Sequence, residues 1–216
     1  MYTQPNYNSQ VPRLVRAVGF DRNIKVMGDS RLFYPTPDYS LVVYDLHDLQ
    51  ASLKSGGQYT PETFNVKECI QGFDFLNKMF SLDRVVVLTA DGRVIKGMHS
   101  EKTWVVKRDV ALPDQIDTNL LFTELATIGD NTLVAGFNTA NSQNLLVLLS
   151  RGLDTVDRCV LTEQSSHISR LQVFEARGKN YIMAVNQFNM LNLLTLSDKI
   201  QVVEQNITIG ECKQSD

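Results

Sequence analysis

Cysteine, tryptophan and histidine are scarce in these 216 residues: Cys69, Cys159 and Cys212, the single Trp104, and His47, His99 and His167. The cysteines are odd in number and far apart, with no CxxC pair and no histidine at the spacing that completes a zinc site. That argues against a disulfide framework or finger-type metal centre and fits a reducing intracellular compartment, cytoplasmic or nuclear. Long hydrophobic runs are missing too. The longest, residues 145–149, falls far short of the ~20 residues a membrane helix needs. The polar stretch at residues 1–10 has neither the basic opening nor the apolar centre of a signal peptide, so no secretion is expected. Positive charge is not in excess: 21 Lys and Arg against 24 Asp and Glu leave a net charge of -3, and no global basic field awaits a nucleic-acid backbone. Gly56-Gly57 and Gly92 stand outside any strand-to-helix phosphate loop, and no GxSxG or Cys-His signature marks a nucleophile. No catalytic residue, cofactor or metal site is therefore expected.

Apolar residues make up 43% of the chain, enough to fill a core, and they recur with a period. Runs opening at Val85, Leu133 and Ile182 lie about 48 residues apart, each followed by a polar break and a second apolar run. Such a period is the size of one four-stranded propeller blade. Around the first run, residues 83–90 and 94–98 flank an Asp91-Gly92 turn and form a hairpin; residues 69–76 and 103–110 add an extended run on either side. The second unit reads as strands at 120–128, 132–137, 145–149 and 156–161, and the third at 168–176, 181–186, 191–196 and 201–209. Residues 120–128 and 168–176 also have apolar spacing compatible with a helix, and both readings stay open. An earlier, irregular unit has strands at 13–20, 24–28, 41–46 and 63–67. Its insertions at 31–40, with Pro35 and Pro37, and at 51–62, with Gly56-Gly57, read as loops.

Three local features carry a family resemblance. Residues 41–46 close on Tyr44-Asp45, similar to the aromatic-Asp dipeptide that ends a blade's third strand, with tyrosine in place of tryptophan. His167, just before the strand opening at Ile168, stands where the family has the His of its Gly-His step, and Asp91 matches its turn aspartate. On these residues the chain resembles the WD40-like β-propellers over residues 13–210, although Trp104 lies on a fourth strand and does not match the family's tryptophan. The resemblance implies an all-β fold, a propeller-like array of about four antiparallel four-stranded blades. Its units are residues 12–67, 68–112, 116–162 and 166–210, between a polar tail at 1–11 and a C-terminal tail at 211–216. Four blades stand at the low end for propellers, and an array that stops early leaves sheet edges and apolar faces to cover. A four-bladed ring, a part of a longer protein and a half-propeller completed by a partner or a second copy are all compatible with this count.

Candidate sites are few. Asp45, His47 and Asp48 combine carboxylates with an imidazole, as a metal or proton-relay site would, but a polar strand end explains them better. His99 lies in a solvated turn, and His167 reads as a turn-stabilising donor. The sequon Asn206-Ile207-Thr208 is set aside as a chance pattern. Phe33, Tyr34 and Tyr39, set around two prolines, suit a stiff protein-binding loop, or equally a cap on the end of the array. Arg93, Lys96, Lys102, Lys107 and Arg108 surround Trp104 in the most basic aromatic neighbourhood, where cations would hold phosphates and the indole would stack on a base. The expected function is a noncatalytic protein-interaction scaffold in an intracellular assembly. A nucleic-acid-associated propeller using the Trp104 neighbourhood comes second, and an enzyme with a site in the propeller channel third.

Overall fold

A computed structural model of the chain describes residues 24–27, 30–76, 84–101, 103–112 and 119–209. Four antiparallel sheets of four strands each make a four-blade propeller, and within every sheet the strands follow chain order. Blade 1 holds β1 (Lys25–Met27), β2 (Arg31–Thr36), β3 (Ser40–Asp45) and β4 (Glu62–Asn65). Blade 2 holds β5 (Ile70–Phe75), β6 (Arg84–Thr89), β7 (Arg93–Ser100) and β8 (Thr103–Ala111). Blade 3 holds β9 (Leu120–Ile128), β10 (Asn131–Asn138), β11 (Gln143–Leu149) and β12 (Thr155–Leu161). Blade 4 holds β13 (Ile168–Ala176), β14 (Lys179–Asn186), β15 (Met190–Leu196) and β16 (Ile200–Thr208). The helical alternative for residues 120–128 and 168–176 is thereby corrected: both are the first strands of their blades.

The apolar runs have a physical cause in this stacking. Successive side chains of a strand point to opposite faces, so a strand between two other blades must be apolar on both. In β6, Val85 and Val87 enter the core shared with blade 1, whereas Val86 and Leu88 enter the core shared with blade 3. In β10, Val134 faces blade 2, and Leu133 and Ala135 face blade 4. Full burial of one such side chain is worth roughly 1.5–3 kcal/mol, so these short strands carry much of the fold's stability.

Turn chemistry separates the strands. Gly92, at φ 78°, supplies the left-handed residue of the β6–β7 turn, where the Thr89 hydroxyl donates to Asp91 Oδ1 at 2.5 Å.

Blade 1 departs from expectation in three ways. Residues 31–36, read as the start of a proline-bearing loop, form β2, with Phe33 opposite Val43 and Pro35 opposite Leu41. β1 pairs only with Arg31, Leu32 and Phe33, so Pro35 has a described partner strand on one side alone, where a missing N–H is tolerated. β1, inside the strand expected at 24–28, consequently supplies the first strand of the blade as described; the strand expected at 13–20 lies outside the described residues. Lastly, residues 46–55, partly assigned to a loop, form helix α1 (Leu46–Ser55). Asp45 caps it by accepting from the His47 and Asp48 amides at 3.0 and 3.1 Å, and Gly56 at φ 67° ends it.

Candidate interaction surfaces

The expected aromatic epitope is divided by the strand that contains it. Phe33 is 0% exposed and Tyr34 7%, while Tyr39, in the β2–β3 turn, is 48% exposed. Because Pro35 belongs to a paired strand, residues 33 and 34 point into the two faces of blade 1 rather than into solvent, which corrects their reading as exposed anchors. The Phe33 ring packs against Phe75 at 4.8 Å, Trp104 at 5.4 Å and Phe73 at 6.3 Å, all three on blade 2.

The basic neighbourhood is similarly committed. Trp104 is 8% exposed and donates its indole N–H to Glu62 Oε2 at 3.0 Å. His99 Nε2 lies 3.0 Å from the same oxygen, so one carboxylate on β4 gathers two rings from blade 2 and locks blade 1 to it. This burial corrects the expectation of an indole free to stack on a base. The cations also part company. Arg93 is held by Asp109 through two bonds of 2.9 and 2.6 Å on the face of blade 2 that meets blade 1. Lys96 donates to the Arg151 carbonyl at 2.8 Å and Arg108 to Asp154 at 2.8 Å, both reaching toward blade 3. Burial holds Lys96 below the usual lysine range, and the charges of Arg84 and Arg151 add to that effect. Lys107 is exposed; Lys102 lies outside the described residues.

Asp45 is spent on capping α1, and among the described residues no three His, Cys, Asp or Glu side chains gather as a metal group. His167 meets the Phe137 ring at 6.5 Å beside a cavity of about 220 Å³. Asn206 of the sequon accepts from Gln164 Nε2 at 3.1 Å and donates to the Glu163 carbonyl at 3.5 Å.

Two features escaped sequence reasoning. The first is a buried amide network tying blade 3 to blade 4. Asn144 donates to Gln164 Oε1 and to the Ser166 carbonyl, at 3.3 and 3.0 Å, and accepts from the Ile168 amide at 3.2 Å. Asn192 reaches the same Gln164 oxygen at 3.0 Å. These partners lie 20–28 residues apart in the chain, and no local pattern signals them. The second is a cavity of about 430 Å³ among the blades' inner strands, lined by Lys25, Gly72, Glu124, Arg170 and Met183 among others. Burial pushes the Glu124 carboxyl above its ordinary value, partly offset by the Leu125 amide that donates to it at 2.9 Å. Lys25 sits 3.6 Å from Asp74, whose other oxygen accepts from both the amide and the hydroxyl of Thr127, at 2.9 and 3.0 Å.

Two groups of outward-facing apolar side chains stand out among the described residues. Val106 on β8, Val156 and Val160 on β12, and Val203 on β16 are about half exposed along the outermost strands, whose outer edges pair with no other strand of their sheets. On blade 4, Ile182, Ala184 and Leu194 enter the core shared with blade 3, and the opposite face presents Tyr181, Met183, Val185, Leu191 and Leu193, all partly exposed. Cross-strand register sets Met183 against Leu193 and Val185 against Leu191, and Phe174 stacks on Tyr181 at 5.4 Å.

Comparison with known proteins bears on this arrangement. No family model matches the chain. ATP-dependent 6-phosphofructokinases from several Clostridium botulinum strains are 26% identical over 180 residues, covering 82% of this chain and 50% of the kinase. The chain thus spans about half the length of the curated relatives it matches. Its glycine pair, Gly56-Gly57, follows the C-terminus of a helix, the reverse of a loop that presents amides to phosphate at a helix N-terminus. Among solved structures, BBS1N in complex with ARL6DN superposes with a TM-score of 0.56 at 10% identity, covering 86% of this chain and 53% of that one. The N-terminal domain of Nup159 gives 0.52 at 10% identity, with 86% and 51% covered. An S. cerevisiae complex of Dbp5, Nup159 and Gle1 gives 0.52 at 9% identity, with 90% and 55% covered. In fold, the chain is a β-propeller of four four-stranded antiparallel blades.

Proposed function

We propose that this propeller is a noncatalytic protein-interaction module, a scaffold subunit of an intracellular assembly in the cytoplasm or nucleus. The observation that carries the reading is the set of half-exposed valines on outermost strands whose outer edges have no described partner strand, Val156 and Val160 above all. An open strand edge offers main-chain donors and acceptors to an incoming extended segment, and β-branched side chains beside it supply apolar grip. Two of the structurally similar proteins are seen in protein complexes, BBS1N with ARL6DN and Nup159 with Dbp5 and Gle1, which supports the same class of role. No observation favours the nucleic-acid alternative, because Trp104 is buried and Arg93, Lys96 and Arg108 are bonded within the fold.

The test is quantitative co-purification of proteins with the intact chain and with a V156K/V160K variant. Two lysines on an exposed edge strand leave the fold unchanged and oppose augmentation. The variant is expected to lose at least about tenfold of its bound protein, roughly 1.4 kcal/mol of affinity. Undiminished recovery rejects the edge as the binding surface.

A further inference from the structure

The cavity of about 430 Å³ takes lining from the first strand of every blade: Lys25 on β1, Phe73 on β5, Glu124 on β9 and Arg170 on β13, together with Met183 of β14. That volume falls in the range of roughly 300–1,000 Å³ in which proteins hold small molecules. Its charges do not balance. The Lys25 ammonium lies 3.6 Å from Asp74 Oδ1 and 5.5 Å from the centre of the Phe73 ring, so its charge is met within the fold. The Glu124 carboxyl rests against blade 2 at Gly72, where an added Cβ would stand 3.1 Å from Oε1, and it accepts from the Leu125 amide. Burial there favours its neutral form. Arg170 is left over: among the described residues its guanidinium has no hydrogen bond or ion pair. Phe73, Leu125 and Met183 give the same cavity apolar walls.

We propose that this cavity is a binding site for a small organic monocarboxylate, its carboxylate held by the Arg170 guanidinium and its apolar body lying against Phe73, Leu125 and Met183. One cation without a partner calls for one negative charge. A guanidinium also presents parallel N–H donors at the spacing of the two oxygens of a carboxylate. A phosphate monoester would bring nearly two negative charges into a space that Asp74 and Glu124 already border. The site goes beyond the interaction-module reading and uses none of its edge residues.

Glu124 makes the affinity depend on pH. The charged groups that face it are Lys25 on β1, Asp74 on β5 and Arg170 on β13. Once ionised, Glu124 competes with the ligand for Arg170 and repels its carboxylate. Binding is therefore strongest while Glu124 holds its proton and weakens as pH climbs through the raised range of that carboxyl.

The experiment is calorimetric titration of the full chain with benzoate and hexanoate, with benzamide and hexanamide as uncharged counterparts and phenyl phosphate as the doubly charged one. At mildly acidic pH the two acids should bind about tenfold or more tightly than the amides or the phosphate. Arg170→Gln should remove that advantage while the far-UV circular dichroism stays native. If it does not keep the native spectrum, Arg170→Lys takes its place and should also weaken binding, because an ammonium lacks the fork. Raising the pH to neutral should weaken binding to the native chain and not to Glu124→Gln. Equal affinity for acids and amides, preference for phenyl phosphate, acid binding untouched by the Arg170 variants, or no binding of either acid overturns the proposal. A peptide ending in a leucine carboxylate that binds more tightly than the free acids assigns the site to a protein terminus and overturns it as well. A pH effect that persists in Glu124→Gln removes the part given to Glu124. Each of these failures leaves the reading of the Val156 and Val160 edge standing.

Discussion

Blades 2 and 3 differ from blade 4 in a way that composition hides. All three are rich in Val, Leu and Ile, yet β6 and β10 are buried on both faces, whereas β14 buries Ile182, Ala184 and Asn186 and leaves Met183 and Val185 partly open between them. Position in the array decides this. A sheet between two neighbours is an interior object, and one at the end of the stack is half a surface, so equal hydrophobicity carries unequal stability and unequal opportunity for binding.

The sharpest way to break the comparison is to truncate matched leucines. Leu148 lies in the blade 3–blade 4 core and is almost completely buried, and Leu148→Ala should cost about 2–5 kcal/mol in urea denaturation through lost transfer energy and a cavity. Leu193→Ala, on the open face, should cost less than about 1 kcal/mol, because its surroundings are partly water already. Equal losses would mean that the face of blade 4 is covered in the isolated chain.

A smaller effect tests how blade 4 is held. Asn144→Ala leaves the Ile168 amide and the Ser166 carbonyl without their buried partner and should cost about 1–3 kcal/mol. Hydrogen exchange should quicken in β13 and β15 more than in β6; a uniform change across all blades would show that the network does not single out blade 4.

The smallest effect is one of pH. Burial raises the Glu124 carboxyl above its ordinary value, so the folded chain keeps that proton at pH values where the unfolded chain has released it. The contribution of this group to stability is therefore fully present below the ordinary carboxyl value and falls as pH climbs through the raised one. Glu124→Gln keeps an acceptor for the Leu125 amide and removes the proton, so the fall should disappear from a series of denaturation curves across mildly acidic to neutral pH. Parallel pH profiles for the two proteins would refute the assignment.

Strand periodicity was legible wherever a blade repeats without insertion. Asp91-Gly92 announced its turn because a left-handed residue there demands particular chemistry. Blade 1 was harder for two reasons. Pro35 argued against a strand although its one-sided pairing removes the objection, and α1 buries none of its residues, its short apolar stripe of Leu46, Leu49 and Leu53 running straight on from a strand. Its caps, Asp45 and Gly56, were the only local sign. Among the candidate sites, Trp104 and Phe33 were legible as important but not as to direction, since an aromatic on a strand turns inward or outward with register alone.

The open face of blade 4 also has a consequence in time. Every described strand pairs with sequence neighbours, so each blade can close as it leaves the ribosome, and blade 4 is the last of the four to emerge. Blade 3 is covered as soon as blade 4 lies down on it, whereas Tyr181, Met183, Val185, Leu191 and Leu193 on the far face of blade 4 stay partly exposed. A partly exposed apolar sheet face is the kind of surface at which folding chains aggregate, so the yield of folded chain should depend on that last face more than on the order in which the earlier blades close.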